Sequence, residues 1–246
     1  MKERLITSLV LVGVLLIVGF IDNKYLTGLL IALIAFVGYR EAEKLFGVSE
    51  VDIFYMGVGV IGLSFFISPL VAAVVGVVFA ASYIAYYQKD LSIISPIIYP
   101  LLPVMIIYAL YLKFGMAYIG WLIVIIAGTD SFAYLIGKNF KGQFFKEGFC
   151  PTSPNKSWEG VIGGVVLATV LGSLIGMGLV GFFNAFIISF LVSVAGVFGD
   201  LFESYLKRRA GVKDSGNVLP GHGGVLDRID GYLFAAPVIF VLIGGV

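Results

Sequence analysis

Between Asp200 and Asp230 the chain places five acidic residues, five basic residues and its one histidine, His222, inside an otherwise strongly apolar sequence. Carboxylates with a single imidazole and no thiolate cluster are hard oxygen donors, which favour Mg²⁺ over zinc. Several carboxylates from separate helix ends could hold two such ions. A pair of ions lowers the barrier to in-line displacement at phosphorus by neutralising the attacking and leaving oxygens, while Lys and Arg take the remaining phosphate charge. These parts suit nucleotidyl transfer. If the nucleophile is a lipid phosphate it is already ionised near neutral pH, so no strong base is needed and His222 need not be one.

The segment has three parts. Asp200, Glu203, Ser204 and Lys207 follow at i, i+3, i+4 and i+7, so a helix would put them on one face. From Ala210 to Gly224, four glycines after Gly211 and Pro220 rule out a continuous helix and predict a loop with exposed backbone N–H groups, a form suited to phosphate. Asp227 and Asp230, again i and i+3, open the last apolar helix, whose first N–H groups are expected to be free with Arg228 beside them.

Two further polar islands accompany this one. Asp130 sits near the end of an apolar run in Gly128-Thr129-Asp130-Ser131-Phe132-Ala133-Tyr134, and an ionisable group inside a span is a functional candidate by default. The stretch Ser153-Pro154-Asn155-Lys156-Ser157-Trp158-Glu159-Gly160 offers Pro to fix the backbone, Lys for a phosphate and Ser or Asn as donors at a helix start.

The 27 residues from Ser204-x-Leu206-Lys207-Arg208 through Lys213-Asp214-x-Gly216 to Leu219-Pro220-x-His222-Gly223-Gly224-x-x-Asp227-Arg228-Ile229-Asp230 resemble the signature of the phosphatidate cytidylyltransferases, without departure. The 153–160 stretch and Asp130–Tyr134 are similar to two further motifs of that family. The resemblance implies a Mg²⁺-dependent membrane transferase of phospholipid biosynthesis and lipid metabolism. Its substrates would be CTP and phosphatidic acid, and its products CDP-diacylglycerol and pyrophosphate. On that reading Asp200 and Asp227 are the first metal ligands, with Asp230, Asp130 and Glu203 as further ligands or their supports, and Asp214 a weaker candidate. Lys156, Lys207, Arg208, Lys213 and Arg228 would meet the phosphates of CTP and phosphatidate. Ser153, Asn155 and Ser157 could donate to a phosphate or to cytosine, and Gly221, His222, Gly223 and Gly224 would shape a phosphate-binding turn. A homodimer follows from the resemblance alone, and no nucleic-acid partner is expected.

Each residue also has a plainer reading. Asp200 and Glu203 could pair with Lys207 or Lys213 in a structural ion network. Asp130 could be an interhelical hydrogen-bond acceptor, His222 a structural donor to backbone, and Gly223-Gly224 a helix-entry turn. Arg209, outside the pattern, reads as part of a basic cluster that sets topology and binds anionic head groups. Trp158 reads as an interfacial anchor, Cys150 as a bystander, and Glu41, Glu43 and Glu50 as a solvated face.

The elements that must carry these residues are membrane spans. With 246 residues, 60% hydrophobic and 13% charged, and a mean hydropathy of +1.05, the chain lies far outside the range of a soluble domain. The expected fold is an all-α polytopic bundle of about nine transmembrane helices in a single integral membrane domain, 1–246. The spans of 1–116 lack a distinctive polar pattern; 117–246 carries the site. The first run, Leu5 to Ile21, reads as a retained span; the second, Tyr25 to Tyr39, is short, with a polar break at Arg40–Asp52. Tight packing is expected at the small-xxx-small pairs Gly160/Gly164 and Gly172/Gly176. With the N-terminus inside, nine crossings leave only Lys24 and Lys113 of the 16 Lys and Arg outside, which obeys the positive-inside rule. That count puts the polar islands at the cytoplasmic interface, where the 138–157 and 200–228 loops would close an active-site cavity; a bacterial host would make this the inner membrane.

Three other readings fit less well. A transporter would place its charges near the midplane between repeats, and none is evident. Another CTP-using membrane enzyme, a polyprenol or phytol kinase, would make a phosphorylated alcohol instead of a nucleotide-linked lipid. A membrane scaffold would not require so many charges at helix ends.

Overall fold

A computed structural model describes residues 2–48 and 51–245. Nine α-helices are present among them: α1 (Lys2–Ile21), α2 (Lys24–Phe46), α3 (Val51–Leu63), α4 (Pro69–Tyr87), α5 (Leu102–Phe114), α6 (Met116–Phe140), α7 (Trp158–Val180), α8 (Phe182–Arg209) and α9 (Leu226–Gly244). Short helical turns lead into α5, and a hairpin of β1 (Gly148–Cys150) and β2 (Ser153–Ser157) stands before α7. Six helical stretches are long and apolar enough to cross a bilayer: α2, α4, Leu91–Phe114, α6, α7 and α8. The apolar part of α1, Leu5–Ile21, and α3 are shorter. At 1.5 Å per residue, the 13 residues of α3 reach about 20 Å against a hydrocarbon core of about 30 Å. Leu9, Leu16, Val78, Phe79, Phe183 and Phe190 are exposed, as the lipid-facing side of a membrane protein requires.

The second span is longer than the sequence suggests. α2 starts on Asn23, whose Oδ1 accepts from the N–H groups of Tyr25 and Leu26 at 3.0 and 3.2 Å, and ends at Gly47 with φ of 69°. It runs through Arg40–Lys44, expected to break it. Three of these charges find partners within the fold: Arg40 bonds Glu43 at 2.6 Å, and Glu41 is engaged elsewhere, as described below; Lys44 is exposed in the last turn. Glu41 and Glu43 are 3% and 4% exposed, so neither lies on a solvated face; Glu50 lies outside the described residues.

The chain divides into two compact units. One holds the chain up to Met116 together with Arg209–Ile229; the other holds Ala117–Arg208 with the chain from Asp230 onward. In the first, Tyr39 donates to the carbonyl of Ile53 at 2.7 Å from a fully buried position, with its ring against Gly57.

In the second unit, small residues allow helices close enough to bring polar groups together. A Cβ at Gly160 or Gly164 would come within 2.8 Å of the carbonyl of Ala133 or Thr129, so α7 lies directly against α6. Trp121 fills the space above Gly176 and donates its indole N–H to the carbonyl of Gly172 at 2.7 Å. Both small-residue pairs thus do what their spacing predicts. On α8, a Cβ at Gly199 would meet the carbonyl of Asp230 at 2.5 Å. This near contact of α8 and α9 backbones makes Asp200 and Asp230 electrostatic neighbours.

Candidate active site

The polar end of α8 is built from the expected face. Ser204 donates to Oδ1 of Asp200 at 3.3 Å, and Lys207 pairs with Glu203 at 3.5 Å. Glu203 is fully buried. Asp230, one turn into α9, is an electrostatic neighbour of Glu203, Asp200 and Lys207. Tyr232 feels both Asp230 and Asp130; Asp130 itself is on the exposed side of α6. Three acids and a lysine of the second unit therefore share one neighbourhood, with Asp130 joined to it through Tyr232.

Lys156, at the end of β2, forms an ion pair with Oδ2 of Asp200. The two residues are 44 apart in sequence and come from different polar islands. Asp200 thus takes a cation from the hairpin strand. The strand is anchored from both sides. The hydroxyl oxygen of Ser157 accepts from the N–H of Gly160 at 3.1 Å as the N-cap of α7 and is 5% exposed. Glu159 Oε1 accepts from the N–H groups of Gly142, Phe144 and Phe145 at 3.0–3.1 Å, holding the turn before the hairpin. This use of the Glu159 carboxylate is visible only once the chain is folded. Ser153 is half-buried, while Asn155 is exposed with its carbonyl accepting from Lys141 at 3.3 Å.

In the first unit the Ala210–Gly224 segment is non-helical, as its glycines require. It is not loose. Oδ2 of Asp227 accepts from the N–H of Ser215 at 2.9 Å, the hydroxyl of Ser215 at 2.9 Å and the N–H of Gly224 at 2.7 Å. Glu41 completes the start of α9: its Oε1 accepts from Val225 N–H at 3.0 Å, and its Oε2 from Leu226 N–H at 2.9 Å and the Ser215 hydroxyl at 3.2 Å. This overturns the expectation of open N–H groups at that helix end, because Gly224, Val225 and Leu226 already donate to protein carboxylates. Gly221 and Gly223 have φ of 73° and 82°, and a Cβ at Gly223 would approach Asp227 Oδ2 to 2.6 Å, so both conformation and space call for glycine.

His222 is held by its neighbours. Its Nε2 lies 2.9 Å from the hydroxyl of Ser8 on α1, and its Nδ1 lies 3.4 Å from the carbonyl of Pro220, which also accepts from Thr7 at 3.0 Å. Arg228 donates twice to the carbonyl of His222, at 3.2 and 2.9 Å, from an exposed position. Arg208, Lys213 and Asp214 are exposed, so the cations can meet a ligand from water. The residues missed by sequence reasoning are Thr7, Ser8 and Glu41, all in the half expected to carry no polar pattern.

The whole of residues 2–245 matches the model of the cytidylyltransferase family. The chain belongs to this family. A phosphatidate cytidylyltransferase of Helicobacter pylori (strain ATCC 700392 / 26695) is 42% identical over 241 residues, covering 96% of this chain and 89% of that protein. That of Aquifex aeolicus (strain VF5) is 34% identical over 95% of this chain and 88% of its own. That of Bacillus subtilis (strain 168) is 44% identical over 135 residues, 53% of this chain and 49% of its own. As a cytidylyltransferase of phospholipid biosynthesis, the protein is a membrane-embedded, CTP-using nucleotidyltransferase.

Proposed function

We propose that this cytidylyltransferase moves CMP from CTP to phosphatidic acid, giving CDP-diacylglycerol and pyrophosphate. The Lys156–Asp200 pair carries the reading: it joins a basic residue suited to phosphate with a carboxylate at the polar end of an apolar helix. The name shared by the relatives, phosphatidate cytidylyltransferase, supplies the substrates.

In the reaction, a phosphate oxygen of phosphatidate attacks the α-phosphorus of CTP while the bond to the β-phosphate oxygen breaks and pyrophosphate leaves. The phosphomonoester is ionised at neutral pH, so no protein base removes a proton. Lys156 and Lys207 offset phosphate charge at the end of α8, and Arg208, Lys213 and Arg228 reach phosphates from exposed positions. Ser153 and Asn155 offer further hydrogen bonds. Gly221–Gly224 shape the backbone around His222, whose imidazole is held by Ser8 and the Pro220 carbonyl.

The donor set fits Mg²⁺ in kind, since every acid nearby offers carboxylate oxygen. Among the described residues no three His, Cys, Asp or Glu side chains form a ready metal cage. Magnesium does not need one, because it typically keeps waters and binds one or two carboxylates plus substrate phosphates. Asp200 and Asp230 would hold it with Glu203 and Asp130 in support, and Asp227, which the 204–230 signature also carries, is assigned to the same reaction. When bound, the ion neutralises charge on the reacting phosphates.

The positive-inside count supports a site at the cytoplasmic interface with the N-terminus inside, where CTP would arrive from water and the lipid head group from the leaflet. The acceptor tests the proposal. With purified protein, CTP and Mg²⁺, phosphatidate should yield CDP-diacylglycerol and pyrophosphate one to one, while diacylglycerol or a polyprenol yields nothing. A phosphorylated alcohol with release of CDP would replace this reading with a CTP-dependent kinase.

A further inference from the structure

We infer that Glu41 is a positioning residue for the cytidylyl-transfer site, holding Asp227 and the loop before it in register. The inference rests on the reading above in giving Asp227 a part in the reaction. Glu41 lies at the polar end of a membrane helix, 3% exposed, and is 174 to 185 residues from its partners. A carboxylate buried to this degree persists only when donors replace its water. Two backbone N–H groups at the start of α9 and the Ser215 hydroxyl do so.

The arrangement links Glu41 to Asp227 through a shared partner. The Ser215 hydroxyl lies 3.2 Å from Glu41 and 2.9 Å from Asp227, and its single hydrogen serves one at a time. Glu41 fixes Val225 and Leu226, while Asp227 fixes Ser215 and Gly224. Together they fold the loop onto the first turn of α9 and set the position from which the Asp227 side chain leaves the backbone.

The surrounding glycines fit this role. All three atoms that a Cβ at Gly216 would meet belong to Glu41, and a Cβ at Gly224 would meet Glu41 and Ser215. Gly216 has no left-handed φ, so its lack of a side chain makes room for the Glu41 carboxylate and answers no backbone demand. Two glycines of the signature are therefore explained by an acid outside it.

The test is a set of variants of the full chain in detergent, assayed with CTP, phosphatidate and Mg²⁺ and followed by amide hydrogen exchange. Glu41→Gln keeps the volume but replaces one acceptor by a donor facing an N–H. It should lower kcat at least about tenfold with the KM for CTP changed less than about threefold, and speed exchange at Ser215 and Gly224–Leu226. Glu43→Gln, on the same helix and equally buried but bonded only to Arg40 among these groups, should stay within about twofold of the parent.

The decisive pair keeps the carboxylate. Gly216→Ala should cost about tenfold in the native background, yet less than about threefold in Glu41→Asp, where the shorter acid withdraws from the new methyl group. Parent-like turnover and exchange in Glu41→Gln would overturn the inference. So would additive losses in the Gly216→Ala/Glu41→Asp pair, which remains informative where Glu41→Gln does not fold. Absence of CDP-diacylglycerol from the parent protein would instead remove the proposed reaction, leaving the exchange measurements to test the Glu41 linkage.

Discussion

Asp227→Asn is expected to lose about a thousandfold or more in kcat while keeping its fold. Three hydrogen bonds to the Asp227 side chain converge on one oxygen, Oδ2, from Ser215 N–H, Ser215 Oγ and Gly224 N–H. An asparagine with its carbonyl oxygen at that position can accept the same three bonds. What disappears is the negative charge. The substitution thus separates the loop-holding role from a role in the reaction, which Asp227→Ala cannot do because it removes both. Initial rates at saturating CTP and phosphatidate, with size-exclusion and thermal melting in detergent as the fold control, provide the measurement. Parent-like turnover would remove Asp227 from the chemistry and leave it as a loop clamp.

Lys156→Ala is expected to reduce kcat/KM for CTP or phosphatidate by about a hundredfold. The hairpin should survive, because its anchors lie elsewhere: Ser157 caps α7, and Glu159 holds the amides of Gly142, Phe144 and Phe145. Asp200 keeps the hydroxyl of Ser204 but loses its cation. Lys156→Arg should recover little, since a planar fork does not reproduce a compact ammonium at the same place. Separate titrations of CTP and phosphatidate in mixed micelles would show which phosphate Lys156 serves, and an unchanged rate with both would reduce the 153–157 strand to a structural element.

The parts of the site legible in the sequence are those set by local geometry. Helical spacing alone places Ser204 beside Asp200 and Lys207 beside Glu203, because neighbours at i+4 on one helix need no knowledge of the fold. The non-helical 210–224 loop follows in the same way from its glycines and proline, and the packing of Gly160/Gly164 and Gly172/Gly176 from small-residue spacing. Glu41 was not legible. Its partners lie more than 170 residues away, and in Arg40-Glu41-Ala42-Glu43-Lys44 it looks like any charge at the edge of a membrane. The same run reads as a break because charges normally end a span; in the fold Arg40, Glu41 and Glu43 are paired or bonded to donors, which removes much of the cost of keeping them in the helix. The pairing of Lys156 with Asp200 also required tertiary structure, although both residues stood out separately as candidates.

The open start of α9 failed for a physical reason of the same kind. A helix N-terminus attracts anions, and the sequence cannot say whether the anion is a ligand or a side chain of the protein. In this chain it is Glu41. On the proposed reaction, phosphate contacts would therefore fall to side chains: Lys156 and Lys207 by the end of α8, and the exposed Arg208, Lys213 and Arg228.

Cytidylyl transfer to a lipid phosphate is tested most directly by the fate of the α-phosphate of CTP. Purified protein in detergent would be incubated with phosphatidic acid, Mg²⁺ and CTP labelled with ³²P at either the α or the γ position, with and without EDTA, and the lipid phase counted. The proposed reaction predicts α-label in the lipid phase that disappears with EDTA, and γ-label that stays in water with or without EDTA. Folded protein that leaves the α-label in water would contradict it.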